Sequence, residues 1–195
     1  MTEQPHYFIA IPLSTHLQNY FSMLQENLME QLSYKQWPHR QDLHVTLKFL
    51  GPVADKKLQA LIQVLEELHS FQAFNTQVGG VGAFGSKTQP RVLYADVELT
   101  DRLKKLQEQV EKAVEQIGFS KEKRDFVPHI TLAKKWTGST GMAKTLATVK
   151  ATYTEKQPFL IDKIGLFRIY PKEMPKYKIV ASFNGIGGED SGSIN

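Results

Sequence analysis

Leu43-His44-Val45-Thr46-Leu47-Lys48-Phe49-Leu50-Gly51, residues 43–51, and Phe126-Val127-Pro128-His129-Ile130-Thr131-Leu132-Ala133-Lys134, residues 126–134, decide how this chain is read. Each sets a histidine and a threonine two residues apart, with an apolar residue between them and a leucine after. Alternate side chains of an extended strand leave opposite faces, so both stretches predict strands carrying His and Thr on one face and apolar residues on the other. On that alternation His44, Thr46 and Lys48 share one side of the first strand, and Val45, Leu47 and Phe49 the other. Gly51-Pro52 ends it.

Working outward from the first motif, residues 7–11 read as a short strand, and 14–33 as a helix with an apolar stripe at Leu17, Phe21, Leu24, Leu28 and Leu32. Residues 55–69 repeat helical spacing through Leu58, Leu61, Ile62, Leu65 and Leu68, and 74–81 form a strand. The second half follows the same order: a strand at 92–99, a helix at 101–117, the motif strand at 127–133, a weaker helix at 139–149, then strands at 159–169 and 177–183. An offset of 85 residues carries His44 onto His129, Phe8 onto Leu93, Thr15 onto Thr100 and Phe74 onto Phe159. A repeated strand-helix-strand-helix-strand unit has a half-exposed sheet face, and two copies bury or share such faces around a pseudo-twofold axis. The expectation is an α+β, bilobal, pseudo-twofold fold with two antiparallel-type sheets around a central cleft and helices outside. Residues 1–183 form one catalytic domain on this reading, with lobes at 6–85 and 90–183 between which the chain can cross. The Gly/Ser-rich stretch 184–195 reads as a flexible tail.

With 195 residues, 41% of them hydrophobic, the chain can bury a core without staples. It has no cysteine, which excludes disulfides, thiolate nucleophiles and cysteine-based zinc sites. The short apolar run near the N-terminus lacks a basic flank and a cleavage site, and no stretch approaches membrane-spanning length, so a cytoplasmic protein is expected. A net charge of +4 favours a polyanionic partner, although the lysines and arginines are scattered among acidic residues.

Phosphodiester hydrolysis needs a general base for water, a general acid for the leaving oxygen, and donors for the non-bridging oxygens. Two histidines and two hydroxyls supply these without metal or cofactor. Imidazole titrates near neutrality, so one histidine can be neutral while the other is protonated, which predicts a bell-shaped pH dependence with both limbs near neutrality. On the residues alone either histidine can be the acid. In-line displacement wants the two on opposite sides of phosphorus, and a pseudo-twofold cleft puts them there.

The two motif stretches, together with PRVLYADV at 90–97, resemble the two-histidine (2H) phosphoesterase superfamily, and within it the bacterial and archaeal RNA 2′,3′-cyclic phosphodiesterases, also called 2′-5′ RNA ligases. The resemblance spans residues 6–183. It implies the bilobal fold, no metal, and opening of a terminal 2′,3′-cyclic phosphate on RNA to leave a 2′-phosphate. It further implies His44 as proton donor, His129 as proton acceptor, and Thr46 and Thr131 on the phosphate. The family commonly has arginine where this chain has Lys134, and lysine lacks the bidentate grip. Lys134 also has the wrong parity for the His129 face, so it joins the phosphate only past the strand end or at a bulge.

Tyr34, Trp37 and Arg91 are candidate RNA contacts, against which stand core-capping roles for the aromatics and a plain surface position for Arg91. The Gly80–Gly85 run fits G-x-G-x-x-G but opens no helix, and reads as a loop. Residues 138–145 lack the glycine a phosphate loop needs before its lysine. His16 and His39 are isolated, and His69 reads as a helix-end residue favouring the dipole. Ligation of RNA ends or opening of small cyclic nucleotides would use the same site, whereas a silent single-strand RNA-binding module would need no intact His/Thr pairs.

Overall fold

Val45 and Ile130, the residues between His and Thr in each motif, are β-sheet partners in the computed structural model, which describes residues 4–68, 71–86, 90–138 and 143–187. That pairing is the hinge of the architecture. The elements run β1 (His6–Pro12), α1 (Thr15–Met29), β2 (Tyr34–Gln36), a 3₁₀ turn (Arg40–Asp42), β3 (His44–Pro52), α2 (Asp55–Glu66), β4 (Phe74–Gly85), β5 (Pro90–Val97), α3 (Asp101–Gln116), β6 (His129–Trp136), α4 (Ala143–Thr152), β7 (Lys156–Ile161), β8 (Lys163–Ile169) and β9 (Tyr177–Asn184). Among the described residues every strand pair between these elements is antiparallel, in the order β7-β4-β5-β6-β3-β1-β8-β9, with β2 added on β6.

Two four-stranded halves, β7-β4-β5-β6 and β9-β8-β1-β3, are therefore mirrored in order about the β3–β6 junction, where Val45↔Ile130 is the single register pair. The halves are not the consecutive stretches 6–85 and 90–183. Strand β2 sits on β6 and β4 pairs with β5 in the second motif's half, while β3 and β8 both pair with β1 in the first, so the chain crosses between the halves four times. By position in the order, β4 corresponds to β8 rather than to β7. The alignment of Phe74 with Phe159 thus matches neighbouring strands, which pair at Phe74↔Ile161 and Thr76↔Phe159. The strand expected at 159–169 is also two strands, broken at Asp162, whose ends belong to opposite halves.

The helices begin where the sequence supplies caps. Ser14 Oγ accepts from Leu17 N–H and Thr100 Oγ1 from Leu103 N–H, each satisfying one free donor at a helix start and contributing about 1 kcal/mol. Ser14, not Thr15, is thus the counterpart of Thr100. Phe21, Leu28, Leu61, Leu65, Leu103, Leu106 and Val114 from α1, α2 and α3 join Ile9, Val45, Leu93, Ile130 and Leu132 from the sheet in one buried cluster. Because Val45 and Ile130 point into it, the His and Thr beside them point the other way.

Two expectations change in detail. The glycine run at 80–85 lies inside β4, not in a loop; positive φ at Gly80 accompanies a register break between Gly79 and Gly82, and a Cβ on Gly82 would overlap the Tyr94 ring. Past Phe183 the chain stays docked, with Ile186 N–H donating to Phe71 O at 2.8 Å and Ala73 N–H to Ile186 O at 2.9 Å. Residues 188–195, His69, and 139–142 of the weaker helix lie outside the described residues. No described helix is long and apolar enough to cross a membrane.

Candidate active site

The antiparallel Val45↔Ile130 pair brings the two motif strands together, with His44 and Thr46 flanking Val45 and His129 and Thr131 flanking Ile130. All four line one cavity of about 190 Å³, with Phe8, Phe49, Lys134 and Tyr177.

Both motif strands carry a bulge at equivalent places. Ala10 pairs with Thr46 but Ile9 with Lys48, leaving Leu47 extra; Tyr94 pairs with Thr131 but Leu93 with Ala133, leaving Leu132 extra. An extra residue reverses the side-chain alternation beyond it. Two consecutive side chains then point inward, Leu47 with Lys48 and Leu132 with Ala133. Phe49 and Lys134 come out on the face of the histidines. The bulge resolves the parity problem of Lys134. It also corrects the placing of Lys48 beside Thr46: Lys48 is buried, donating to Glu111 Oε2 at 2.9 Å and to Ser120 O at 2.7 Å. Phe49, expected inside, is 60% exposed.

The histidines are oriented alike. His44 Nδ1 lies 2.7 Å from Asp42 O and His129 Nδ1 2.7 Å from Val127 O, the carbonyl two residues back in each case. A carbonyl can only accept, so each Nδ1 carries a proton and donates it, which turns a bare Nε2 toward the cavity in the neutral ring. The Thr46 hydroxyl donates to His44 Nε2 at 3.0 Å. Asp42 is itself buried, its carboxylate accepting from Lys176 N–H at 3.0 Å and Tyr177 N–H at 2.9 Å, which fixes the carbonyl that holds His44.

Aromatic rings surround both imidazoles. Phe8, Phe167 and Tyr177 lie 4.7, 5.9 and 5.4 Å from His44, and Phe84 and Tyr94 lie 4.8 and 5.5 Å from His129. Removal from water disfavours the charged form. Burial, joined by the positive charge of Lys134, lowers His44 from 6.5 to about 4 despite the Asp42 carbonyl, and burial lowers His129 as well. Desolvation and nearby Lys176 lower Lys134. Among the described residues no group of three or more His, Asp or Glu side chains is arranged to hold a metal ion.

The RNA contacts expected from sequence divide. Tyr34 is buried, its hydroxyl donating to Pro90 O at 2.8 Å, so its ring braces β2 against β5; Trp37 is partly buried against the core, its Nε1–H donating to Tyr34 O at 3.1 Å. Arg91 lies on the cleft, in a larger adjoining cavity. Phe49, Phe84, Tyr94 and Tyr177 escaped the sequence reading because a bulge and long-range strand pairing bring them to the site.

The family signature described as the 2′-5′ RNA ligase superfamily matches residues 14–172. The chain belongs to that superfamily, the two-histidine phosphoesterases. An RNA 2′,3′-cyclic phosphodiesterase of Bacillus subtilis is 32% identical over 92% of this chain and 96% of its own length. One of Geobacillus stearothermophilus is 33% identical over 96% of this chain, which spans 60% of that longer protein. Among solved structures, E. coli LigT in complex with 3′-AMP matches with a TM-score of 0.74 at 18% identity, over 94% of this chain and 99% of that one. TT0787 of Thermus thermophilus matches with a TM-score of 0.72 at 22% identity, over 92% and 97%. These likenesses establish the two-histidine phosphoesterase fold.

Proposed function

We propose that this chain is an RNA 2′,3′-cyclic phosphodiesterase that leaves a 2′-phosphate, working by histidine acid-base catalysis without metal. The convergence of both His-Thr pairs on one small cavity, with each Nε2 directed into it, carries the reading. The cyclic phosphate sits between the imidazoles. His129 Nε2 takes a proton from water as its oxygen attacks phosphorus, the bond to the 3′ oxygen breaks, and protonated His44 gives that oxygen its proton. Thr46, Thr131 and Lys134 stabilise the charge on the non-bridging oxygens, and Phe49 offers a face for the terminal base. Turnover of an oligonucleotide ending in 2′,3′-cyclic phosphate to the 2′-phosphate tests the reading, with a small cyclic nucleotide and RNA ends for ligation run in parallel. Conversion of none of them rejects it in favour of a silent RNA-binding module.

Burial shifts the expected pH dependence. One imidazole must be charged and the other neutral, and both resist protonation in the free protein, so kcat/KM is expected to follow a bell with both limbs below pH 6.5, more acidic than the residues alone suggest. The bound phosphate anion stabilises an imidazolium, so the alkaline limb of kcat is expected to lie higher. A kcat/KM profile still rising at pH 7 would show that the aromatic surroundings do not hold the rings neutral. Activity is also expected to survive exhaustive treatment with EDTA; loss restored by a divalent ion would refute the metal-free scheme.

A further inference from the structure

The histidine cavity continues past His129. It shares Thr46, Phe49, His129, Thr131 and Lys134 with a second cavity of about 780 Å³, some four times larger, which runs on between Phe84, Arg91, Arg124 and Phe126. On the opposite side the rings of Phe8, Phe167 and Tyr177 close around His44. Among the described residues, the open volume next to the histidines that can take the body of a strand lies beside His129.

The chemistry of that side suits a nucleotide. Guanidinium groups bind phosphate in a planar, bidentate way, and aromatic rings stack on any base. Arg91 has no ion pair among the described residues. Among the described residues Arg124 meets only Glu122, at 3.2 Å with side chains 87% and 45% exposed, a surface pair a phosphate can displace. Of the acidic groups in the lining, Glu111 is paired with Lys48 and Glu122 with Arg124; Asp125 alone is unpaired among the described residues.

The wall is also anchored. Buried Glu111 accepts from Lys48 Nζ and, at 3.3 Å, from Glu122 N–H, while Lys48 Nζ donates to Ser120 O. One ion pair thus ties both ends of segment 120–122 to the first motif strand, four residues beyond His44. The segment running from there to His129 supplies Arg124 and Phe126 to the cleft and the Val127 carbonyl to His129.

We propose that this wall is a subsite for the nucleotide preceding the cyclic-phosphate terminus, with Arg91 and Arg124 on its phosphate and Phe126 under its base. The subsite rests on the phosphodiesterase reading and gives it a substrate class, RNA ends of at least two nucleotides rather than free cyclic nucleotides. The test compares kcat/KM for a mononucleoside 2′,3′-cyclic phosphate with that for a dinucleotide ending in the same group. The dinucleotide is expected to be favoured on the order of tenfold or more, and Arg124→Ala, Arg91→Ala and Phe126→Leu each to reduce that ratio severalfold. A wild-type ratio near one overturns the subsite, as do variants that slow both substrates equally. Binding titrations with the mononucleotide and dinucleotide 2′-phosphates accompany the kinetics. A protein that cleaves neither substrate yet binds the dinucleotide more tightly keeps the subsite and loses the phosphodiesterase reading, and one that binds both alike loses the subsite.

Discussion

Replacing His44 or His129 with alanine is expected to reduce turnover of the cyclic phosphate by roughly 10²- to 10⁴-fold, the usual worth of positioned proton transfer. Binding of RNA should stay within a few-fold, because each imidazole acts on a proton rather than as a main holder of the substrate. His44 and His129 line one cavity from opposite halves of the sheet, and in the proposed mechanism they serve one transition state. The double variant should therefore be little worse than either single one, as happens when residues act as a unit. Thr46→Val and Thr131→Val keep the β-branched shape and remove a neutral donor that water can partly replace, so their losses should be smaller. Single-turnover kinetics on variants with native circular dichroism settle the order. Near-normal turnover by folded His129→Ala would mean that His44 has another partner.

The largest stability effect is expected at Lys48→Met. Lys48 and Glu111 are 6% and 7% exposed and 2.9 Å apart, on a strand of one half and the helix α3 that follows β5. Removing the lysine leaves a buried carboxylate without its counter-charge, which costs about 3–5 kcal/mol. In a chain of this length that corresponds to a fall in Tm of roughly 6–20 °C. Apolar side chains at both positions avoid the unpaired charge, so Lys48→Met with Glu111→Leu should recover most of the loss. Thermal melts of wild type, single and double variants make the comparison. A single variant melting within about 2 °C of wild type would show that water reaches Glu111 and that the pair does not fasten the segment above it.

Much of the site was legible because its signal is local. A strand alternates faces every residue, so His-x-Thr written twice, each time with apolar neighbours, already puts both side chains of a motif on one face. The offset of 85 residues carries His44 onto His129 and Phe8 of β1 onto Leu93 of β5, equivalent places in the sheet, although it misses by one residue at Thr15 and by one strand at Phe74. The apolar stripes of α1, α2 and α3 place their helices. What escaped depends on the bulges at Leu47 and Leu132. Each adds one residue to its strand, and neither sequence announces it: Lys48 looks like a cleft residue and Phe49 like a core residue until the alternation reverses. Tyr34 misled for a different reason. Burial of an aromatic near a motif is decided by which strand receives it, and β2 is only three residues long.

The sequence by itself determined the duplicated α+β organisation, the two His-Thr pairs and the chemistry open to them, since each rests on periodicity and residue type within a few positions. Tertiary structure alone decided that β4 and β8 exchange halves, that Lys134 and Phe49 enter the site while Lys48 leaves it, and that burial lowers the pKa of both histidines. Strand pairing and desolvation are set by residues distant in the chain, and a local pattern carries no record of them.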